Sequence, residues 1–179
     1  KLGQTITYPC VLNEHKNHIL SKTTAPAPVV AEIDRKARDM AELLAGSVDL
    51  VGVLALEFFV MPDGTLLANE IAPRPHNSGH WTIEACSVCQ FQQHVRTVCA
   101  YPVGHPDRHS DAVMINLIGK DAEKISYFLE TPGINLHLYG KDNVHDGRKM
   151  GHITVTDRDL AEARRKARII KETIKVIST

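Results

Sequence analysis

The 179 residues balance 21 Lys and Arg against 21 Asp and Glu, and 43% of them are hydrophobic. That balance excludes a global electrostatic pull towards nucleic acid or an anionic membrane, and the length suits one large domain or two small ones. The longest apolar runs, such as residues 51–60, are too short to span a bilayer, and KLGQTITYPC lacks the apolar core of a signal peptide, so a cytoplasmic protein is expected.

Taken in chain order, Gln4 to Cys10 reads as a strand, and the polar, His-rich stretch Val11 to Thr24 as a loop lining a surface or site. Ala25-Pro26-Ala27-Pro28 is rigid punctuation. A helix from Val30 to Ala45 follows, with Ile33, Ala37, Met40 and Leu44 as its apolar stripe and Gly46 as its C-cap. Val51 to Val60 and Thr65 to Ile71 read as a hairpin closed by Pro62-Asp63-Gly64. After Pro73 and Pro75, a second helix is expected from His80 to Ala100, then a Pro-, Gly- and His-rich loop from Tyr101 to Asp111 that marks the best domain boundary. Beyond it, Ala112 to Ile118, Asn135 to Tyr139 and His152 to Thr156 read as strands, and Ala122 to Leu129 as a short helix. The tail from Asp159 to Ile177 is a helix with Leu160, Ala163, Ala167, Ile170, Ile174 and Ile177 on one face. The expected fold is α+β: residues 1–100 as a mostly antiparallel sheet with packed helices, and residues 101–179 as a small β-rich domain with a terminal helix.

Four cysteines do not make a disulfide framework at this length. Cys86 and Cys89 form a C-x-x-C, but one placed inside an expected helix, which favours structural thiols over redox or metal chemistry. His105 and His109 read as exposed. His15 and His18 lie near Asn13, and no cysteine pattern supports a zinc site there.

Glu57 sits in the middle of the apolar run VGVLALEFFV, where a carboxylate is costly unless paired or bound to a cation. Glu70 lies near the end of the partner strand. With Val60 facing Thr65, Glu57 faces Ala68 and Glu70 faces Ala55, which makes the two carboxylates diagonal neighbours on one side. A loop one residue shorter puts Glu57 opposite Asn69 instead. Two strand carboxylates and an amide oxygen suit Mg²⁺ bridging nucleotide phosphates better than zinc; the competing reading is an ion pair with a nearby Lys or Arg.

In Ala72-Pro73-Arg74-Pro75 the prolines are expected to hold Arg74 extended, preset for a bidentate oxyanion contact. His76, Asn77, Ser78, Gly79 and His80 follow at the entrance to the second helix, where free N–H groups favour anions. Asn77 or Ser78 could instead cap that helix. Further on, Tyr139-Gly140-Lys141 and Gly147-Arg148-Lys149-Met150-Gly151-His152 set three cations beside glycines, a plausible phosphate site or a solvated basic loop.

NEIAPRPHNSGHWTIEAC, with GVLALEFFV upstream and VMINLIG, YGK and GRKMGH downstream, resembles the N5-carboxyaminoimidazole ribonucleotide synthase family of ATP-grasp enzymes. YPCVLNEHKNHIL and the TAPAP run match as well, so the resemblance covers Thr7 to Thr156. It implies ATP-dependent formation of carboxyphosphate from bicarbonate and carboxylation of the amine of 5-aminoimidazole ribonucleotide, in de novo purine synthesis. By the same resemblance Glu57 and Glu70 would hold Mg²⁺, with Asn69 and Glu70 beside the ATP phosphates. Arg74, His76 and Asn77 would hold bicarbonate or carboxyphosphate and the substrate, and Lys141, Arg148 and Lys149 the ribonucleotide phosphate. The full-length family members are commonly homodimers.

Two departures stand out. The family usually has Glu-Asn at Leu12-Asn13, which places an acidic contact in doubt, and Ser-Gln-Phe-Glu at Cys89-Gln90-Phe91-Gln92, which is expected to change only helix packing. No Gly-rich phosphate loop occurs among the eleven glycines. The resemblance reaches only the second ATP-grasp lobe and the small C-terminal domain, so the 179-residue chain is expected to be inactive alone. Rival readings are another ATP-grasp ligase, such as a formate-using glycinamide ribonucleotide transformylase, and a non-catalytic binding or dimerisation module.

Overall fold

The structure is a computed structural model that describes residues 3–177, with no side-chain description beyond Ile174. Its elements run β1 (Leu12–Lys16), β2 (Ile19–Ala25), α1 (Ala31–Ser47), β3 (Ala55–Val60), β4 (Leu66–Ala72), α2 (Thr82–Ala85), α3 (Gln90–Val98), β5 (Asp111–Ile118), α4 (Ile125–Glu130), β6 (Ile134–Leu138), β7 (Lys149–Asp157) and α5 (Leu160–Ile177). Short 3₁₀ turns at Asn77–Gly79 and Gly119–Glu123 precede α2 and α4. Every strand pairing among the described residues is antiparallel, as the α+β expectation required. No helix among them is long and apolar enough to cross a membrane.

The contacts divide the chain into two compact units, and the division is not the linear cut at residue 100. One unit takes the described residues up to Cys10 and Ala27–His109; the other takes Val11–Pro26 and the described residues from Ser110. The reason is the His-rich stretch expected to be a loop. It forms the hairpin β1–β2, whose tight turn carries positive φ at Asn17 (50°) and His18 (62°), and β2 then pairs with β5. The result is a five-stranded sheet in the order β1-β2-β5-β7-β6.

In the first unit the stretch expected as an N-terminal strand is not one. Its polar groups are satisfied by side chains and loops instead: Cys10 N–H donates to Asp34 Oδ1 (3.1 Å), Tyr8 Oη donates to the Val88 carbonyl (2.6 Å), and Ala27 N–H donates to the Cys10 carbonyl (2.7 Å). α1 buries Ala37 and Ala45, while Met40 of the expected stripe is 40% exposed. The helix runs through Gly46 to Ser47, so Gly46 is not its cap. The second long helix is broken. Trp81, Thr82, Ala85 and Cys86 are buried around α2, and the chain then leaves helical conformation until α3, with Cys86 bridging to Arg108. The C-x-x-C therefore lies at a helix break rather than inside a helix. Burial pushes the Cys86 thiol up to about 12, so at neutral pH it is a protonated, unreactive group.

In the second unit α5 lays Ala163, Ala167, Ile170 and Ile174 against Val113, Ile115 and Leu117 of β5 and Ile153 and Val155 of β7, with Phe128 of α4 closing the core. This is the face expected from the sequence; the side chain of Ile177 lies outside the described residues. β5 is buried along Ala112–Leu117, with β2 and β7 pairing its two edges and α5 covering the face of Val113, Ile115 and Leu117; on the other face Asn116 donates to the Leu20 carbonyl (2.8 Å).

Candidate functional site

The first cluster is built on the β3–β4 hairpin. Its turn is closed by Met61 N–H to the Thr65 carbonyl (2.9 Å), with Gly64 at φ 81°, a conformation that favours glycine. Val60 pairs with Leu66 and Phe58 with Ala68, and a bulge then places Glu57 opposite Glu70. The shorter-loop register considered from the sequence holds from Val60 to Phe58, but the bulge then sets Glu57 opposite Glu70 rather than Asn69. The residue absorbed by the bulge is Asn69, and its consequence is to make the carboxylates direct cross-strand partners rather than diagonal ones.

Like charges directly opposite one another are destabilising, so this pair calls for positive charge. Arg74 supplies it, and a histidine ring stands beside both carboxylates. His76 Nδ1 lies 3.8 Å from Glu57 Oε1, and its Nε2 lies 4.0 Å from Glu70 Oε1. Arg74 Nη2 reaches Glu70 Oε1 at 3.8 Å, and Asn69 Nδ2 donates to Glu57 Oε2 at 3.4 Å. The side chains of His76 and Glu57 are only 11% and 12% exposed, whereas Glu70 is 49% exposed and Arg74 60%. The competing ion-pair reading is thus realised at Glu70, by Arg74, while the buried Glu57 has a histidine ring beside it rather than a lysine or arginine.

Arg74 is not held extended. Its N–H closes a tight turn onto the Ala72 carbonyl (2.8 Å), and its Nη1 donates to the Pro75 carbonyl (3.1 Å). Asn77 opens the 3₁₀ turn, with its carbonyl accepting the His80 N–H (3.2 Å). The capping role falls to His76, whose Nδ1 accepts the Ser78 N–H (3.3 Å) and lies 2.7 Å from Ser78 Oγ.

Gln90 was missed as part of this cluster. It is 6% exposed at the start of α3, and its carboxamide reaches back to the loop. Gln90 Oε1 accepts the His76 N–H (2.9 Å), while Nε2 donates to the His76 carbonyl (2.8 Å) and lies 3.0 Å from His80 Nδ1. Gln90 N–H donates to Thr82 Oγ1 (3.1 Å), which donates to the Gly79 carbonyl (2.6 Å). A Cβ at position 79 would overlap the Gln90 carboxamide, which is why glycine stands there. Three residues further along α3, Gln93 does the same for another loop, donating to the Gly104 carbonyl and accepting the Gly104 N–H (2.9 Å). The sequence signal for both was weak: a glutamine is ordinarily a surface residue.

Two strand carboxylates with an amide beside them form a hard oxygen donor set. Among the described residues no three His, Cys, Asp or Glu side chains form a metal cage on their own, at the hairpin histidines or elsewhere. Mg²⁺ does not need such a cage, because it is commonly held by one or two carboxylates with substrate phosphates and water completing the shell. The opposed Glu57 and Glu70 fit that mode.

The second cluster lies in the other unit, on the turn joining β6 to β7. Lys141 Nζ donates to the Lys149 carbonyl (2.7 Å) and stands 5.5 Å from the centre of the Tyr139 ring. Arg148 Nη1 donates to the Asn143 carbonyl (3.0 Å). Beneath them Tyr139 Oη lies 2.9 Å from His152 Nδ1, and the His137 and His152 rings stack at 4.5 Å. The turn thus gathers Lys141, Arg148 and Lys149, and the Lys141 ammonium and Arg148 guanidinium each carry further N–H donors beyond these bonds.

Comparison with known proteins gives these clusters a context. The ATP-grasp domain family matches residues 1–91, and the phosphoribosylaminoimidazole carboxylase C-terminal domain family matches residues 112–166. The chain is 52% identical over 152 residues to an N5-carboxyaminoimidazole ribonucleotide synthase of Brucella melitensis, covering 85% of the chain and 42% of the relative. The Bacillus subtilis protein of the same name is 45% identical over 156 residues, with 85% and 40% covered. Among solved structures, the ADP complex of an N5-carboxyaminoimidazole ribonucleotide synthetase superposes with a TM-score of 0.88 at 39% identity, over 92% of this chain and 44% of that one. The Aspergillus clavatus synthase in complex with ADP and 5-aminoimidazole ribonucleotide gives 0.86 at 32% identity, over 94% and 47%. The chain spans about two fifths of the length of these curated relatives. It belongs to the ATP-grasp family, and within it matches the C-terminal portion of the N5-carboxyaminoimidazole ribonucleotide synthases.

Proposed function

We propose that this chain is the C-terminal part of an enzyme that uses ATP and bicarbonate to carboxylate 5-aminoimidazole ribonucleotide on its amine, giving N5-carboxyaminoimidazole ribonucleotide. The observation that carries the reading is the bulge at Asn69, which opposes Glu57 and Glu70 and sets His76 against both. In this reading residues 1–100, apart from the β1–β2 hairpin that joins the other unit, act as the second ATP-grasp lobe, and residues 101–179 as the C-terminal domain of a longer chain.

The reaction joins two steps. A bicarbonate oxygen attacks the γ-phosphorus of ATP, forming carboxyphosphate and releasing ADP. The substrate amine then takes the carboxyl group, phosphate departs, and the amine loses a proton. Mg²⁺ held by Glu57 and Glu70 would offset the negative charge of the phosphates. Asn69 lies beside them as a neutral donor to phosphate oxygen. Arg74, His76 and Asn77 bind bicarbonate and the carboxyphosphate made from it: Arg74 is exposed enough to turn its fork to an oxyanion, and His76 can offer Nε2. Lys141, Arg148 and Lys149 hold the ribonucleotide phosphate, a dianion suited to a turn of three cations. The whole enzyme works in the cytoplasm as a homodimer, which a native mass of twice the full-length chain would support.

The test is isotope tracing with the full-length protein that contains this chain. Label from bicarbonate should enter 5-aminoimidazole ribonucleotide only when ATP is present, and label from formate should not enter glycinamide ribonucleotide. The reverse pattern would assign the formate-using ligase, and binding of the ribonucleotide without any turnover would assign a binding module.

A further inference from the structure

The carboxamide of Gln90 is buried beside the carboxylate pair with both its oxygen and its nitrogen engaged, and its bonds go to the loop rather than to either carboxylate. It grips the main chain of His76 on both sides of the Cα, accepting its N–H and donating to its carbonyl. A single amide that satisfies both main-chain groups of one residue ties together the two peptide units flanking its Cα, and so fixes the direction in which the His76 side chain leaves the backbone. The second Nε2 hydrogen is aimed at His80 Nδ1, and the Gln90 N–H is tied through Thr82 to the Gly79 carbonyl. One residue thereby holds the loop at positions 76, 79 and 80. Gly79 leaves room for the carboxamide to arrive. The loop side of the cluster thus hangs from α3, while its carboxylates stand on β3 and β4.

We propose that Gln90 is a positioning residue of the carboxylation site: through the His76 main chain it sets the ring of His76 against Glu57 and Glu70. This rests on the function proposed above. Gln90 has no contact with the carboxylates and is not assigned any chemistry of its own. The substitution that isolates the role is Gln90→Met, which preserves length and apolar packing but removes both the donor and the acceptor.

Two measurements test it. In the full-length protein, amide hydrogen exchange at His76 should accelerate at least tenfold in Gln90→Met, while exchange in β3 stays as in the parent. Unchanged protection at His76 overturns the proposal, as does loss of protection throughout the unit. In the full-length protein, Gln90→Met should lower kcat about a hundredfold, since small misplacement of a catalytic group costs on that order, with the KM for ATP altered less than threefold. Combined with His76→Gln it should then cost less than threefold more, because the group it positions is gone. Independent, multiplying effects overturn the proposal. Gly79→Ala approaches the same carboxamide from the loop side and should reproduce both signatures more weakly. If the full-length parent incorporates no labelled bicarbonate, the functional reading falls; the exchange measurement still decides whether Gln90 positions His76.

Discussion

The acidic cluster and the basic turn are assembled in opposite ways. Around Glu57 and Glu70 the polar groups are fixed by buried partners: Gln90 and Ser78 are 6% and 8% exposed, and His76 is tied at its N–H, its carbonyl and its ring. On the turn from Tyr139 to Lys149, Lys141 and Arg148 are held by main-chain carbonyls of the same turn. Buried amides have no water to fall back on and so dictate one geometry. Exposed cations bonded to their own loop can exchange those carbonyls for a ligand at little cost. The first arrangement suits orientation of a reacting group, the second capture of a phosphate.

The largest expected effect breaks the acidic side of this contrast. Glu57→Gln keeps size and hydrogen bonding but removes the charge opposite Glu70. In the full-length protein, turnover should fall about a thousandfold, the scale found when one group of a preorganised electrostatic site is lost. Single-turnover phosphate release at saturating ATP measures this, and a loss of under tenfold would mean that the pair is not a cation site.

Next comes the frame of the basic turn. Gly151 pairs with Leu138 and Leu117, and a Cβ there would run into the His137 carbonyl, which is backbone and cannot swing away. Gly151→Ala should cost about 1–3 kcal/mol of stability, read from urea unfolding. It should also weaken ribonucleotide binding, because Lys141 and Arg148 lie on the turn that this pairing sets. Stability lost with binding intact would show that the turn keeps its geometry independently of the β6–β7 ladder.

Lys141→Ala should be milder, raising the KM for the ribonucleotide about tenfold with kcat nearly unchanged, as expected for one charge-assisted bond to phosphate. The effect should shrink as salt rises, since the site is exposed. A change in kcat instead would erase the distinction between capture and orientation.

The same contrast explains what was legible in the sequence. Strands β5 and β7 and the apolar face of α5 were legible because burial imposes a period on them: Ala163, Ala167, Ile170 and Ile174 repeat at helical spacing. The β1–β2 hairpin was not, because its turn uses Asn17 and His18 at positive φ where a glycine would have announced it. The strand pattern of residues 4–10 was misleading, since their hydrogen bonds go to Asp34, Val88 and Ala27 rather than to a ladder. The bulge at Asn69 leaves no trace in composition, yet it decides how Glu57 meets Glu70. The long helix expected from His80 contains neither Gly nor Pro after Gly79, so the break at Cys86 is a tertiary effect of pairing with Arg108. All nine predicted site residues occur in one of the two clusters, five of them drawn together about the carboxylates and three on the basic turn, with Asn77 in the 3₁₀ turn after His76. Residue type and motif were enough to single out these candidates; Gln90 was visible only once the chain was folded.

The smallest effect belongs to an exposed ion pair outside either cluster. Lys166 Nζ donates to Asp157 Oδ2 at 2.7 Å, and this bond, followed by the Asp159 N–H, holds the Asp157 carboxyl below the usual range. A folded-state value depressed below the unfolded one adds stability that is fully present above the unfolded value and lost as pH falls through the folded one. Asp157→Asn should therefore lower Tm at neutral pH by on the order of 1 °C, and the two melting curves should converge in acid, below pH of about 4. High salt should close the same gap at neutral pH. A neutral-pH difference that survives both acid and salt would mean that Asp157 contributes by packing at the end of β7, not by charge, and the weak, screened character assigned to exposed ions in this unit would have to be given up for the basic turn as well.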